Sequence, residues 1–262
     1  MRFRGGKPLV YGDPFVTGGG TPAWTPAALS PVLWLDAKSA GTITVSGSNV
    51  TSWADRAGVS GTFTQSNGLL QPTYSTTDPA FGTSVVGGAS GSLASTSFPS
   101  LTQATVSLTF KMDTRNAGTY QMLFHIGTLN ADQSILIGFN ASFDFLWIRW
   151  INGGGSTAVY STTTWSTASA ARNVYMALDL SQTGYGFVQS LYVNNVSDTK
   201  QAGGVGATAG TTAANIATVL AANGSSTYAS LCTMAEAMVF NSVLSASNQN
   251  LLWSYTQSKW GL

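Results

Sequence analysis

Short apolar runs, separated by Gly, Asn, Asp or Ser about every ten residues, follow one another from Val32 onward. Runs of this length bounded by turn-forming residues are typical of β-strands, and many such strands at even spacing are typical of a sandwich. The pattern therefore predicts an all-β body. The clearest predicted strands are residues 32–35, 42–45, 104–112, 120–126, 134–139, 143–151, 174–180, 189–193 and 235–240.

The predicted strand 143–151 is apolar on both of its faces. Side chains alternate along a strand, so Phe145 and Trp147 point one way while Ile148 and Trp150 point the other. Such a strand is either covered on both sides or uses one side for binding.

The end of the chain follows a helical pattern instead. Leu244, Leu251, Leu252 and Tyr255 have helical spacing, and Ser245 is a good N-cap residue. We predict one short helix over about residues 246–258, packed on the sandwich and closed by Trp260-Gly261-Leu262.

Residues 1–30 differ from the rest because they are rich in Gly and Pro, which oppose helix and regular strand. A disordered tail and an extended docking arm are both compatible with this segment. The sequence thus divides into an arm, residues 1–30, and a body, residues 31–262. The candidate anchors of a docking arm are Arg2, Phe3, Arg4, Lys7, Tyr11, Phe15 and Trp24.

Composition favours binding over catalysis. The chain of 262 residues has one glutamate (Glu236), one histidine (His125) and one cysteine (Cys232), and charged residues are only 8% of the total. These are the residue types from which most catalytic and metal sites are built. The net charge of +1 predicts no nucleic-acid partner, and no apolar run is long enough for membrane insertion.

Two groups of motifs resemble a known family. The first contains Leu33-Trp34-Leu35-Asp36-Ala37 and Val50-Thr51-Ser52-Trp53-Ala54-Asp55-Arg56, and the second contains Ala235-Glu236-Ala237-Met238-Val239-Phe240 and Lys259-Trp260-Gly261-Leu262. Together they resemble the concanavalin A-like lectin/glucanase superfamily, in particular its laminin G-like (LamG-like) members of bacteriophage virions and bacterial surface proteins. The resemblance implies a jelly-roll β-sandwich, a fold that hosts sugar binders, enzymes and structural proteins alike.

Enzymatic chemistry finds little support in the residues. Glycoside hydrolysis normally needs two neighbouring carboxyl groups, and the glucanases that share the fold carry them as Glu-x-Asp-x-x-Glu, which is absent around Glu236. His125 lies in an alternating strand without a Gly-x-Ser-x-Gly elbow, which favours a histidine satisfied by backbone or water. We therefore predict that the protein is not an enzyme.

No cofactor is implied, and one His and one Cys cannot make a closed zinc site. Calcium is the metal that the sequence leaves open, because Asp113, Asn130, Asp132 and Asp198 fall in predicted loops. Loop Asp and Asn also cap turns, so no ligand is assigned.

Carbohydrate is the small ligand that the sequence favours, because aromatic rings stack on the C–H faces of sugars. The candidates are Trp147, Trp150, Tyr160 and Trp165, which surround the turn at Gly153-Gly154-Gly155. At least one face of strand 143–151 must be buried, so Tyr160 and Trp165 are the candidates least needed by the core.

These observations predict a non-enzymatic bacteriophage virion protein, as a capsid decoration, head-fibre or tail-associated protein. Its arm would dock on a major capsid or tail protein, its body could adhere to cell-surface glycans, and we expect a homo-oligomer. The first alternative is a carbohydrate-binding module of a bacterial surface protein, at the cell surface or outside the cell. The second is a divergent glycan hydrolase.

Overall fold

The computed structural model describes residues 24–88, 91–114, 119–140, 145–165, 170–198, 201–203, 206–213, 215–221 and 231–262. In this part of the chain the structure is antiparallel β-sheet with a single α-helix at the C-terminal end, which confirms the predicted fold class. Most of the predicted arm, residues 1–23, lies outside the described residues. No helix among them is both long and apolar enough to cross a membrane.

The strands are β1 (Leu33–Asp36), β2 (Ile43–Ser46), β3 (Asn49–Ala54), β4 (Thr62–Thr64), β5 (Thr73–Asp78), β6 (Gly82–Val86), β7 (Leu93–Phe98), β8 (Gln103–Met112), β9 (Gln121–Ile126), β10 (Ser134–Phe139), β11 (Phe145–Asn152), β12 (Gly155–Thr164), β13 (Arg172–Asp179), β14 (Val188–Val193), β15 (Val196–Ser197), β16 (Gln201–Gly203), β17 (Asn215–Val219) and β18 (Cys232–Phe240). The helix is α1 (Ala246–Trp260). Short 3₁₀ turns cover Pro26–Leu29, Ala40–Thr42, Gly68–Leu70 and Gly184–Phe187.

The strand pairings define two layers. The back sheet has the order β1-β18-β8-β13-β14-β15. The first half of β18 pairs with β6 in the place where its second half pairs with β1. The front sheet has the order β7-β17-β9-β10-β11-β12-β16. Strands β3, β4 and β5 link the two, since β4 pairs with β7 and β5 pairs with β6.

The core lies between the two sheets. Phe110 on β8 of the back sheet contacts Phe139 on β10 of the front sheet, with ring centroids 6.3 Å apart. On β11, Ile148 and Trp150 point into this core, whereas Trp147 belongs to a separate cluster on the outer face of the front sheet. The alternation predicted for this strand is therefore correct. Cys232 is a buried free thiol in the same core.

Helix α1 covers the outer face of the back sheet. Its N-cap is Ser245, as predicted, whose side chain accepts a hydrogen bond from the Asn248 N–H at 3.3 Å. Gly261, with φ 71°, ends the helix in the left-handed conformation that favours glycine. The helix therefore runs to Trp260, two residues beyond the predicted end, and Leu252 packs on the sheet.

Residues 24–30 contact the body of the same chain. The Trp24 ring meets Tyr255 of α1 edge-on at 6.1 Å, and Leu29 packs on the same outer cluster. The predicted contact of the arm with another protein stays a prediction.

Candidate functional site

The outer face of the front sheet carries a cluster of aromatic and basic side chains. Cross-strand neighbours place Trp147 on β11 beside Tyr160 on β12. The Tyr120 ring, just before β9, reaches Trp147 with 5.4 Å between centroids. Arg149, two residues after Trp147 on β11, lies on the same face. We call Tyr120, Trp147, Arg149 and Tyr160 the aromatic patch.

Gly138 on β10 lies beside the aromatic patch, where the backbone of β9 comes close. It lies between Met122 and Trp147 in one cross-strand row, at a point where the pairing of β9 and β10 is irregular. A Cβ atom there would come within 2.2 Å of the Gln121 carbonyl oxygen, so only glycine allows this approach. Gly138 therefore lets β9 approach β10 closely in the row that contains Trp147.

Arg149 contacts an aromatic ring and polar side chains rather than a described carboxylate. Its guanidinium lies 5.7 Å from the centroid of the Trp147 ring and donates to Ser156 Oγ at 3.2 Å. A longer contact of 3.5 Å reaches Asn130 Oδ1. No carboxylate of the described residues forms an ion pair with Arg149. Several of its five N–H donors therefore remain for a ligand.

The patch has a buried floor and partly exposed edges. Trp147 is only 4% exposed, whereas Tyr120, Arg149 and Tyr160 are partly exposed. Burial raises the pKa of Tyr160, and the neighbouring Tyr120 adds to this effect. The Tyr160 hydroxyl therefore stays protonated at neutral pH, and it can both donate and accept hydrogen bonds.

His125 lies in the same face, between Thr218 on β17 and Leu136 on β10. It is fully buried, and neither ring nitrogen has a hydrogen-bond partner among the described residues. Of the predicted backbone or water partners, the described residues thus supply no backbone group. Burial lowers its pKa to about 4, so the ring is neutral at pH 7. No described serine or aspartate bonds to it, so these residues form no catalytic triad around His125.

The four predicted sugar-contacting residues separate into two pairs. Trp147 and Tyr160 come together in the aromatic patch. Trp150 is 1% exposed and donates its indole N–H to the Thr208 carbonyl at 2.9 Å. Trp165 is 0% exposed and stacks on Phe110 at 5.1 Å. Both of these rings belong to the core and offer no face to a ligand, which corrects the expectation that Trp165 is free.

Sequence reasoning missed Arg149 and Tyr120. The two-residue period of β11 puts Arg149 beside Trp147, so alternation alone could have identified it. Tyr120 could not be found this way, because its contact with Trp147 depends on the pairing of β9, β10 and β11.

Two carboxylates do meet in the back sheet, where Asp36 on β1 is directly opposite Glu236 on β18. Lys259 bridges them, with its Nζ 2.8 Å from Asp36 Oδ1 and 2.7 Å from Glu236 Oε1. Asp36 also pairs with Arg56. The two carboxylates are 2% and 0% exposed, so this geometry holds the fold together and leaves no oxygen for a substrate. Glu236 therefore forms its ion pair with Lys259 and is not exposed to solvent.

The loop residues considered for calcium have separate partners. Asp132 accepts from the Gly154 N–H at 3.0 Å, and Asp198 accepts from the Thr162 N–H at 3.0 Å. Asp113 accepts from the Thr233 hydroxyl, and Asn130 contacts Arg149. In the described part of the chain, no three His, Cys, Asp or Glu side chains come together as a metal site.

The sequence matches no protein-family model and no curated protein. Solved structures do resemble it. The binding domain of botulinum neurotoxin DC, in complex with rat synaptotagmin II, has a TM-score of 0.54 and 13% identity over 87% of this chain and 52% of its own. A second neighbour is botulinum neurotoxin type C, a toxin whose cell entry depends on interaction with two ganglioside molecules. Its structure has a TM-score of 0.55 and 11% identity over 89% of this chain and 53% of its own.

A sialidase of Trypanosoma rangeli, in complex with a difluorinated sugar-acid ligand, has a TM-score of 0.55 and 14% identity over 87% of this chain and 33% of its own. The chain has the jelly-roll β-sandwich fold. It spans about half of the toxin chains and a third of the sialidase chain. Identities this low carry the fold and no function.

Proposed function

We propose that the protein is a non-enzymatic carbohydrate-binding protein that holds a glycan on the aromatic patch. The observation that carries this proposal is the grouping of Tyr120, Trp147 and Tyr160 around Arg149 on one sheet face. Aromatic rings stack on sugar C–H faces, while guanidinium and phenol groups bind sugar hydroxyls. The buried Trp147 would support the two tyrosines, which would contact the sugar.

The burial of the carboxylate pair Asp36 and Glu236 supports a binding role over hydrolysis. Hydrolysis of a glycosidic bond needs two carboxyl groups with access to the substrate. The close pair Asp36 and Glu236 is buried and occupied by Lys259 and other donors. The fold is compatible with this class of ligand, since a ganglioside interaction and a sugar-acid ligand are named for two proteins that share it.

Replacement of Tyr160 by alanine is expected to weaken glycan binding about tenfold or more, because a tenfold change corresponds to about 1.4 kcal/mol and one stacked ring contributes about that much. A glycan array would find the ligand, and titration calorimetry would compare the wild type with the variant. Tyr185→Ala is the matched control, since Tyr185 is 39% exposed in a 3₁₀ turn outside the patch. Equal affinity of the Tyr160 variant and the wild type would rule out this site.

We further propose, from the sequence alone, that this binding body belongs to a virion as a capsid decoration, head-fibre or tail-associated protein. Its support is the arm-like composition of residues 1–30 with Arg2, Arg4 and Lys7. Deletion of residues 1–23 is expected to remove the protein from purified particles while leaving the isolated body folded and able to bind glycan. Equal incorporation of both forms, or no association with particles in the native source, would refute the docking role.

A further inference from the structure

A polar cleft lies beyond the aromatic patch, at the end of β12. It is open to solvent and has a volume of about 450 Å³, and its polar lining, beside two valines, is Thr162, Thr163, Arg172, Asn194, Ser197 and Asp198. These side chains offer hydroxyl, amide, carboxylate and guanidinium groups, which are the groups that bind hydroxyl-rich ligands.

Arg172 lies in this cleft, and none of the described carboxylates forms an ion pair with it. Its guanidinium lies 4.6 Å from the centroid of the Trp165 ring, which is fixed by stacking on Phe110. Among the described residues it makes one hydrogen bond, a long contact of 3.4 Å to the Thr164 carbonyl. Because the Trp165 ring packs against it, the planar guanidinium group of Arg172 is held in an orientation that can bind a ligand.

Asp198, which lines the same cleft, does not neutralise Arg172. Its Oδ1 accepts from the Thr162 N–H at 3.0 Å and from the Thr162 hydroxyl, and its Oδ2 accepts from the Thr163 N–H at 3.3 Å. This carboxylate therefore anchors the end of β12. Among the described arginines, Arg56 pairs with Asp36, whereas Arg149 and Arg172 have no carboxylate partner.

The cleft and the patch lie along one strand. Alternation on β12 places Ala158 and Tyr160 on the same face, and Thr162 follows two residues later, where the pairing with β11 is irregular. Ala158 is the cross-strand neighbour of Arg149, Tyr160 belongs to the patch, and Thr162 lines the cleft. Alternate residues of a strand are roughly 7 Å apart, so a chain of a few sugar units could contact both places.

From this placement we propose that the ligand is a carboxylate-bearing polysaccharide that lies along β12, with one acidic sugar at Arg149 and another at Arg172. This inference rests on the proposed function of the aromatic patch and adds to it the cleft and the charge of the ligand. A carboxylate fits because the guanidinium fork can bind its two oxygens at once, which a neutral hydroxyl cannot match.

The test compares three sets of oligosaccharides of equal length by titration calorimetry: uronate oligomers from several polysaccharides, neutral glucans and sulfated glucans. We expect at least one uronate oligomer to bind about tenfold tighter than the neutral glucans, a difference of about 1.4 kcal/mol. Arg149→Gln and Arg172→Gln should each remove about tenfold of the uronate affinity and weaken the binding of neutral glucans by a smaller factor. Arg149→Lys should have a uronate affinity between those of Arg149→Gln and the wild type, because lysine keeps the positive charge but lacks the planar guanidinium group that binds two oxygens at once.

Lys38→Gln is the matched control for the loss of one positive charge, because Lys38 lies near α1 and contacts the Lys259 carbonyl and the Trp260 ring. Thermal unfolding would verify that every variant is folded. Equal affinity for uronate and neutral oligomers, a preference for sulfated glucans, or unchanged uronate binding in both arginine variants would overturn the inference. If the inference failed in one of these ways but Tyr160→Ala abolished the binding of neutral glucans, the proposed function of the aromatic patch would survive. If the wild type bound no saccharide at all, both the proposed function and the inference would be refuted.

Discussion

Replacing Glu236 with alanine is expected to lower the free energy of unfolding by about 3–5 kcal/mol. Glu236 Oε1 accepts hydrogen bonds from the Trp34 indole at 2.8 Å, the Tyr255 hydroxyl at 3.0 Å and Lys259 Nζ at 2.7 Å. Its Oε2 accepts from the Trp260 indole at 2.8 Å. The substitution would leave the donors of Trp34, Tyr255 and Trp260 without this acceptor and the Lys259 ammonium with Asp36 as its remaining carboxylate, which costs far more than the lost contacts alone.

The loss of stability should appear first in helix α1. Tyr255, Lys259 and Trp260 all belong to α1, so one carboxylate fastens the second half of this helix to the back sheet. We therefore expect helix α1 of the alanine variant to detach before the sandwich unfolds. Guanidinium denaturation followed by tryptophan fluorescence would give the free energy, and limited proteolysis would show cleavage within α1.

Two further variants sharpen this prediction. Glu236→Gln keeps one acceptor oxygen and loses the ion pair with Lys259, so we expect an intermediate loss. Asp132→Asn changes an exposed carboxylate whose partner is the Gly154 N–H, and it should alter the free energy of unfolding by no more than about 0.5 kcal/mol. A Glu236→Ala variant within about 1 kcal/mol of the wild type would contradict the structural role of this network.

Acidification from pH 7 to pH 4 is expected to cost about 3 kcal/mol of stability through His125 alone. Its pKa in the folded protein is lowered from 6.5 to about 4 because the ring is buried. Between these two values the unfolded chain binds a proton that the folded protein does not. Stability therefore falls as the pH drops through this window, and the effect of His125 is constant above it.

Denaturation of the wild type and of His125→Leu across the pH range would isolate this effect. Leucine does not titrate, and it suits a position between Leu136 and Thr218. Carboxylates that lose their ion pairs in acid act equally on both proteins, so they cancel in the difference. The wild type should lose stability relative to the variant below about pH 6.5. Parallel curves for the two proteins would show that His125 titrates normally.

Local pattern predicted much of this fold. Alternation along β11 separated Trp147 from Trp150 correctly, because the period of a strand is fixed by the backbone. Ser245 was identified as the N-cap because its short polar side chain can satisfy a free N–H at the start of a helix. These features depend only on neighbours within a few residues.

Features that depend on distant elements were not predictable in the same way. Trp165 resembles Tyr160 in the sequence, yet its ring is stacked on Phe110 of the other sheet and is completely buried. The partners of Glu236 were not predictable either, because three of its donors come from a helix whose docking decides which side chains reach it. The aromatic patch likewise depends on the order of β9, β10 and β11 in the sheet, which cannot be read from a single sequence.

The indole N–H signals in an NMR titration test the central claim most directly, because the chain has 8 tryptophans, which differ in their distance from the patch. The titrant would be the glycan that binds best on the array. Binding on the aromatic patch should shift the Trp147 signal with saturation and leave the signals of Trp34 and Trp260 beside Glu236 in place. An unchanged Trp147 signal at saturating glycan, or shifts confined to the tryptophans beside Glu236, would contradict the account.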